Sequence, residues 1–415
     1  MKYQRLNISM AVAAVVSAAA FAPAAHAIDV TAGDWKLSIT GNVNAHYIYS
    51  RCETSPVTVT GGLACTDDNS SSSSVSNGLL PASLGISGAT TQGGYDLGFT
   101  FGLYPGISTN DGGSPNLQSQ NGPNQVLTHT ALGTAGLDVR QVFLTFGNKD
   151  MGTFMAGRNI GLFGADAILN DMTLLGVGAG NGSYAAPANT SLGSIGLGYI
   201  YTDWLSQIDY TTPDLAGLKM TVGIFDPLNT LSQIPASKKA PGFHFKLAYT
   251  LGGLYLSSSG LVQEQRHTSA IAAINSDYTS WAIDFGGKFD VAGFEFAGWY
   301  YTGQGVGTTG LFVASDDGLG NARKSDGFLV QATYKIASTK LGVNYGQSNL
   351  DQANGDVGLA GAALVHKNDK VTVGIYQDLT TNLLLLAEVS RLESQNQAGG
   401  KNTSNNFNIG AFLKF

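Results

Sequence analysis

Apolar and polar side chains alternate along this chain in segments of about ten residues, joined by connections that are short, then long, then short again. In the first segment Trp35, Leu37, Ile39, Val43, Ala45, Tyr47 and Tyr49 share one face, and Lys36, Ser38, Thr40, Asn42, Asn44 and His46 share the other. A repeat of two is that of a β-strand, whose successive side chains point to opposite faces. Later segments keep it: Leu218, Met220, Val222 and Ile224 alternate with Lys219, Thr221 and Gly223, and Phe328 to Ile336 sets Gln331, Thr333 and Lys335 on the polar side. Long strands with an apolar face tipped by aromatics suit a wall that meets lipid on one side and water on the other.

Further strands are expected near 79–88, 94–104, 137–147, 152–158, 199–212, 217–226, 242–251, 253–263, 277–289, 293–303, 326–336, 338–348, 368–378, 381–393 and 404–415. That makes about sixteen, an even number, as a closed single-chain barrel of antiparallel strands needs. Connections near Gly88 to Gly93, Asn148 to Met151, Pro213 to Ala216, Gly252, Asp290 to Ala292, Ala337 and Leu379 to Thr380 are short. Those near 51–78, 105–136, 159–198, 227–241, 264–276, 304–325, 349–367 and 394–403 are long and rich in Ser, Gly, Asn and Asp. The alternation predicts an all-β fold, a transmembrane antiparallel β-barrel with both termini on the periplasmic side. The Ser70 to Ser74 run reads as plain flexible loop. Asn382 to Val389 departs from the pattern because Leu383, Leu384, Leu385 and Leu386 are apolar on both faces. An inserted loop, a neighbouring subunit or a shifted register would each account for it.

Residues 1–27 read as a secretory signal peptide, with Lys2 and Arg5 ahead of the apolar run Met10 to Ala20 and small residues at Ala25-His26-Ala27, which leaves 28–415 as the barrel. Nothing later approaches the roughly 20 consecutive apolar residues that a spanning helix requires. Losing the leader takes the formal charge from −7 to −9, since Lys2 and Arg5 go with it and no acidic residue does. So acidic a chain is a poor partner for nucleic acid. Charged residues make up 12%, against roughly 25% in a soluble domain. Cys52 and Cys65 lie in one polar stretch. In an exported protein a disulfide between them is favoured over two free thiols, and would be worth roughly 3 kcal/mol in the chain-entropy model.

Signals for other chemistry are thin. The six histidines are scattered without a metal pair or a Ser-His-Asp context, which argues against an enzyme. Gly176 to Gly182 lacks the Lys-Ser/Thr of a phosphate cradle. Asp67-Asp68-Asn69 and Asp316-Asp317 read as solvated loop, with a divalent cation as the sharper alternative. No cofactor is implied.

Four stretches then carry a family likeness. Arg140-Gln141-Val142-Phe143-Leu144, followed by Gly152-Thr153-Phe154 and Gly157-Arg158-Asn159, resembles the fourth and fifth strands of the Gram-negative general porins, most closely those of β-proteobacteria. Gln207 to Leu218, with Pro213 at its turn, is similar to that family's sixth strand, and Gly41-Asn42-Val43 to its first. The ending Phe407, Ile409, Ala411, Leu413 and Phe415 resembles the signal read by the barrel assembly machinery. The resemblance covers essentially all of 28–415. It implies a homotrimer of barrels in outer-membrane lipid, passing small hydrophilic solutes and ions, in which the third long loop folds inward and narrows each channel. Here that loop is Asn159 to about Gly198.

A pore of this kind works as an electrostatic filter, with acidic and basic side chains facing each other across a narrow neck. Arg140 and Arg158 are the candidates for the basic wall, Asp166 and Asp171 for the acidic loop, and Lys36, Asn42 and Asn44 for the lumen lining. An ionised strand residue is expected to face water, because Arg or Lys on the lipid face at mid-bilayer costs roughly 2–4 kcal/mol. Asn42 and Ser83 stand where strongly cationic relatives carry basic residues, so a modest preference for cations is expected. A substrate-specific channel is the nearest rival, favoured by aromatics along the lumen such as Trp299 and Tyr301, and a barrel acting as adhesin or receptor through its loops is another.

Overall fold

Among the described residues, nineteen strands join in one antiparallel sheet that closes on itself. The computed structural model describes residues 27–53, 56–65, 71–107, 137–180, 190–230, 234–235, 238–268 and 277–415. Residues 1–26 of the expected signal peptide, the Asp67-Asp68-Asn69 cluster, residues 181–189 of the third long loop and residues 108–136 of the second lie outside the described residues.

The strands are β1 (Ile28–Ala32), β2 (Trp35–Arg51), β3 (Ser71–Ser76), β4 (Ser83–Gln92), β5 (Tyr95–Pro105), β6 (Leu137–Asn148), β7 (Gly152–Ile160), β8 (Trp204–Thr211), β9 (Leu218–Phe225) and β10 (Ile234–Pro235). The second half holds β11 (Gly242–Leu251), β12 (Leu254–Thr268), β13 (Asp277–Val291), β14 (Phe294–Gln304), β15 (Lys324–Ile336), β16 (Thr339–Leu350), β17 (Val365–Asp378), β18 (Leu383–Asn396) and β19 (Lys401–Lys414). β1, β3 and β10 are short additions to neighbouring staves, which leaves a closed barrel of 16 strands. β19 pairs with β2 from Asn405 opposite Arg51 to Lys414 opposite Asn42, and Phe415 exchanges both backbone hydrogen bonds with Gly41. Closure pairs the first stave with the last, the condition for a sheet in hydrocarbon.

The outer wall is apolar and bare. Val43, Leu144, Ile208, Phe285, Val330, Val373, Val389 and Ile409 are all exposed there. Toward the periplasmic turns it carries aromatic clusters, Phe146 with Phe154 and Tyr210, and Phe294 with Phe296 and Tyr334. These are the girdle positions of a membrane barrel. Gly93-Gly94 and Ala292-Gly293 turn the chain with φ of 58° and 84°, and of 50° and 86°. Paired positive φ values fit a two-residue hairpin whose twist matches the strands it joins, and glycine takes them most easily.

The Ser70 to Ser74 expectation is corrected: Ser71–Ser76 is strand β3, laddered to β2 from Ser71 opposite Arg51 to Ser76 opposite His46. β4 reaches only as far as Asn42 along β2, so without β3 the upper half of that edge would have no ladder. The Leu383 to Leu386 run also resolves. Parity aims Leu383 and Leu385 outward, while Leu386 turns inward and is buried opposite Tyr376, in the row below the seat of the inserted third loop.

Candidate functional site

The third long loop leaves the wall after β7 and crosses the lumen. Gly164, in a left-handed conformation, starts a short helix, Ala165–Leu169. From there the loop is fastened to the inner wall at successive staves. Asp284 of β13 accepts from the Gly164 N–H at 2.8 Å and from the Ser259 hydroxyl at 2.7 Å. Gln331 of β15 accepts from the Met172 N–H at 2.9 Å and donates to the Asn170 carbonyl at 2.6 Å.

Glu388 of β18 is the densest anchor. One of its carboxylate oxygens accepts from the consecutive N–H groups of Val177 and Gly178 at 2.9 and 2.8 Å and from Asn408 at 3.0 Å, and the other from the Tyr376 hydroxyl at 2.6 Å. Gly176 packs closely beside it, and a Cβ there would force this carboxylate to shift. On β17, Lys370 is fully buried and donates to the Gly193 carbonyl at 2.6 Å and the Ser194 hydroxyl at 2.9 Å. Two staves along from β18, the segment lying against β2 adds the Leu79 and Leu80 N–H groups, which donate to the Gly176 and Leu174 carbonyls. The loop is thus a strap held at both sides of the barrel. Buried polar groups in such a strap are held by partners on the wall.

The candidate site residues fall into separate local sets. Asp166 accepts from Lys246 Nζ at 3.0 Å and the Tyr255 hydroxyl at 2.7 Å, which ties the helix to β11 and β12. Asp171 is buried and accepts from the Tyr199 hydroxyl at 2.8 Å, from Thr173 at 2.9 Å and from Asn344 at 3.2 Å. Both carboxylates are engaged in holding the loop. Arg140 is inward but buried, 2.9 Å from Asp138 and stacked over Tyr104 and Trp204, 4.8 and 5.6 Å from their ring centroids. Asn42 donates to the Pro81 carbonyl and to Ser83, and Asn44 to the Leu80 carbonyl and Asn42, so the two hold the 77–83 segment against the wall.

Arg158 differs from expectation. Arg158 sits opposite Val142, on the outer face, while Met155 and Asn159 occupy the inward parity of β7. Its Nε donates to the Val139 carbonyl at 3.1 Å near the extracellular rim, where a guanidinium reaches water without crossing hydrocarbon. Lys36 has inward parity but lies at the periplasmic end, 61% exposed and 2.8 Å from Asp29, so it does not join the loop. Arg140 pairs with Asp138, and Asp166 with Lys246, so these contacts do not place the charges across a neck from one another. Trp299 and Tyr301 are buried, packed into the apolar clusters under the inserted segments rather than offered to a solute.

Sequence reasoning placed Gln331 on the polar face without a role and passed over Glu388, Lys370 and Lys246. Glu388 had a usable signal: one carboxylate at inward parity in the run Leu383 to Val389 needs a polar partner brought to it.

Other loops also turn inward. Cys52 and Cys65 form a disulfide with a Cα separation of 4.9 Å. The stretch before Cys65 lies on the inner face of β18 and β19, with the Leu63 and Ala64 N–H groups donating to the Ser394 hydroxyl and Asn402 pairing with the Val57 backbone. Between β14 and β15, Val306 and Phe312 are fully buried. At the base of that loop Arg323 forks onto Asp356 at 2.6 and 2.7 Å, and the guanidinium holds the Asp356 carboxyl below the usual carboxylate value of 3.8. Asp316 accepts from Tyr278, and Asp317 from Asn321 and the Gly355 N–H. Among the described residues no group of His, Cys, Asp and Glu could hold a metal, and no helix is long and apolar enough to cross a membrane.

Comparison with known proteins gives a consistent picture. The sequence profile of the Gram-negative porin family matches residues 11–397. Similar solved structures include the outer membrane channel DcaP of Acinetobacter baumannii, 15% identical with a TM-score of 0.67, over 93% of this chain and 99% of that one. Salmonella typhi OmpF in complex with daunomycin is 12% identical with a TM-score of 0.56, over 94% and 100%. OmpT of Vibrio cholerae in its trimer form is 15% identical with a TM-score of 0.53, over 92% and 99%. No curated protein sequence matches the chain. The finer likeness to β-proteobacterial porins rests on the sequence motifs alone.

Proposed function

The chain belongs to the Gram-negative porin family, and from that premise we propose that its barrel is a general channel of the outer membrane, with the strap across its lumen setting the size of solute that passes. The observation that carries this reading is the inward-folded loop fastened to a closed wall that is apolar outside and polar inside. A porin passes small hydrophilic solutes and ions by passive diffusion. Such a wall gives transport no step that requires a bound substrate.

Two observations favour the general channel over its rivals. The aromatics that a sugar-stacking track would use, Trp299 and Tyr301, are buried in side-chain clusters. The disulfide-closed loop, the leading candidate for a receptor surface, has its described part hydrogen-bonded to the inner wall. Assembly as a homotrimer is supported by the trimer form of the Vibrio cholerae neighbour and by the exposed apolar wall, which needs lipid or another subunit to cover it. The alternating end of β19, closing on Phe415, supports recognition by the barrel assembly machinery.

Liposome swelling with a graded series of uncharged sugars tests the reading. Uptake is expected to fall smoothly with solute size and to rise in proportion to concentration. Saturation with one sugar, with exclusion of others of the same size, would establish a substrate-specific channel instead.

A further inference from the structure

The loop between β14 and β15 shares the lumen with the strap. Its tip is apolar: Val306, Leu311 and Phe312 pack against Phe163 and Ile200, which stand where the strap leaves and rejoins the wall. Its backbone is attached as well, since the Tyr201 N–H donates to the Thr309 carbonyl at 2.7 Å and Tyr201 bridges to Gly310. A loop that only shielded the mouth would turn polar side chains to water. This one turns apolar side chains into the barrel and dries the sector in front of β12 to β14.

The base is fixed differently. Arg323 returns to its own loop through a hydrogen bond to the Ala314 carbonyl at 3.0 Å, and its fork onto Asp356 joins this loop to the next one along the rim. The Gly355 N–H donates to Asp317 at 2.9 Å across the same junction. Phe312 and Ala314 hold φ of 64° and 56°, a left-handed conformation that non-glycine residues keep only where the surroundings fix it.

We propose that this loop is a second pore-narrowing element, seated on the strap by its apolar tip and held there by the Arg323–Asp356 pair as a latch. Arg323 and Asp356 are positioning residues: they touch no solute, and act by keeping the tip in the barrel. The role rests on the channel function proposed above. Two ionised groups joined bidentately fix orientation as well as distance, as a latch requires.

The test compares single-channel conductance and swelling rates of the full protein with those of three variants. The first replaces residues 307–313 with a short Gly-Ser turn, the second is Asp356→Asn, and the third is the exchange Arg323→Asp with Asp356→Arg. Because current follows the open cross-section, the shortened loop is expected to raise conductance roughly twofold and to admit larger sugars. Asp356→Asn should give unstable current with excursions toward that higher level, and the exchange should quieten it. A merely structural latch would lower unfolding resistance and leave conductance unchanged. If the shortened variant does not insert, Asp356→Asn alone decides. Wild-type current from every inserted variant, in a protein that itself conducts, overturns the proposal, and a silent wild type removes the channel reading beneath it.

Discussion

Glu388→Ala is expected to release the strap and raise single-channel conductance by roughly twofold with strong flicker, since current through a narrow neck follows its open width. The carboxylate takes four hydrogen bonds, from Val177, Gly178, Asn408 and Tyr376. Alanine strands all four donors, each at a cost on the order of 1–3 kcal/mol where water cannot reach. Water can enter once the strap lifts, so the favoured response is movement of the loop rather than collapse of the barrel. The sheet itself should survive, because the backbone ladders of β18 to β17 and β19 do not use this side chain. Glu388→Gln keeps one acceptor oxygen and should fall between. Wild-type current from the alanine variant would mean that the other anchors suffice.

On the outer wall, Val373→Arg is expected to weaken the barrel most. Val373 is 58% exposed and lies in one row with Val343, Val389 and Phe407, in the apolar part of the wall. A guanidinium at mid-bilayer costs roughly 2–4 kcal/mol, and near the interface only about 0–1. Thr403→Arg supplies the control, since it shares the outer face, sits toward the extracellular end and stands opposite Glu393. Urea titration in lipid vesicles should show the first variant clearly destabilised and the second near wild type. Equal losses would mean that Val373 is covered by protein rather than lipid, as a subunit contact would do.

The strands were legible because a wall between two solvents dictates every second residue, and ten or more residues of strict alternation leave little room for another fold. Legibility fails where the chain leaves the ladder. A strand was expected near 79–88, yet β4 begins at Ser83, because Leu79 and Leu80 are spent on the strap and Gly78 donates to Asn44. Arg158 shows a different limit. Its motif marks the right strand but not the phase of that strand, and one residue of register reverses a side chain's face. In β6 the register shifts opposite Gly102 and Leu103, so Arg140 and Gln141 are both buried although they are adjacent. For Asp166 and Asp171 the sequence located the loop but not whether its carboxylates face water or partners. That depends on Lys246, Tyr255, Tyr199 and Asn344, which come from other parts of the chain.

The same geometry tempers the expected ion preference. Asp166 is paired with Lys246 and Arg140 with Asp138, so those two charges are offset locally, while Asp171 is buried among the neutral donors Tyr199, Thr173 and Asn344. Fixed charge selects ions only where it remains uncompensated in the neck. Selectivity should therefore be weak.

Whether the barrel conducts is decided by planar-bilayer recording of the refolded mature chain under a salt gradient. Stable, ohmic current steps are expected, grouped in threes if the barrels assemble as trimers, with a small reversal potential on the cation side. Folded protein that inserts in the bilayer and passes no current would contradict the channel function, and would mean that the inward loops close the barrel.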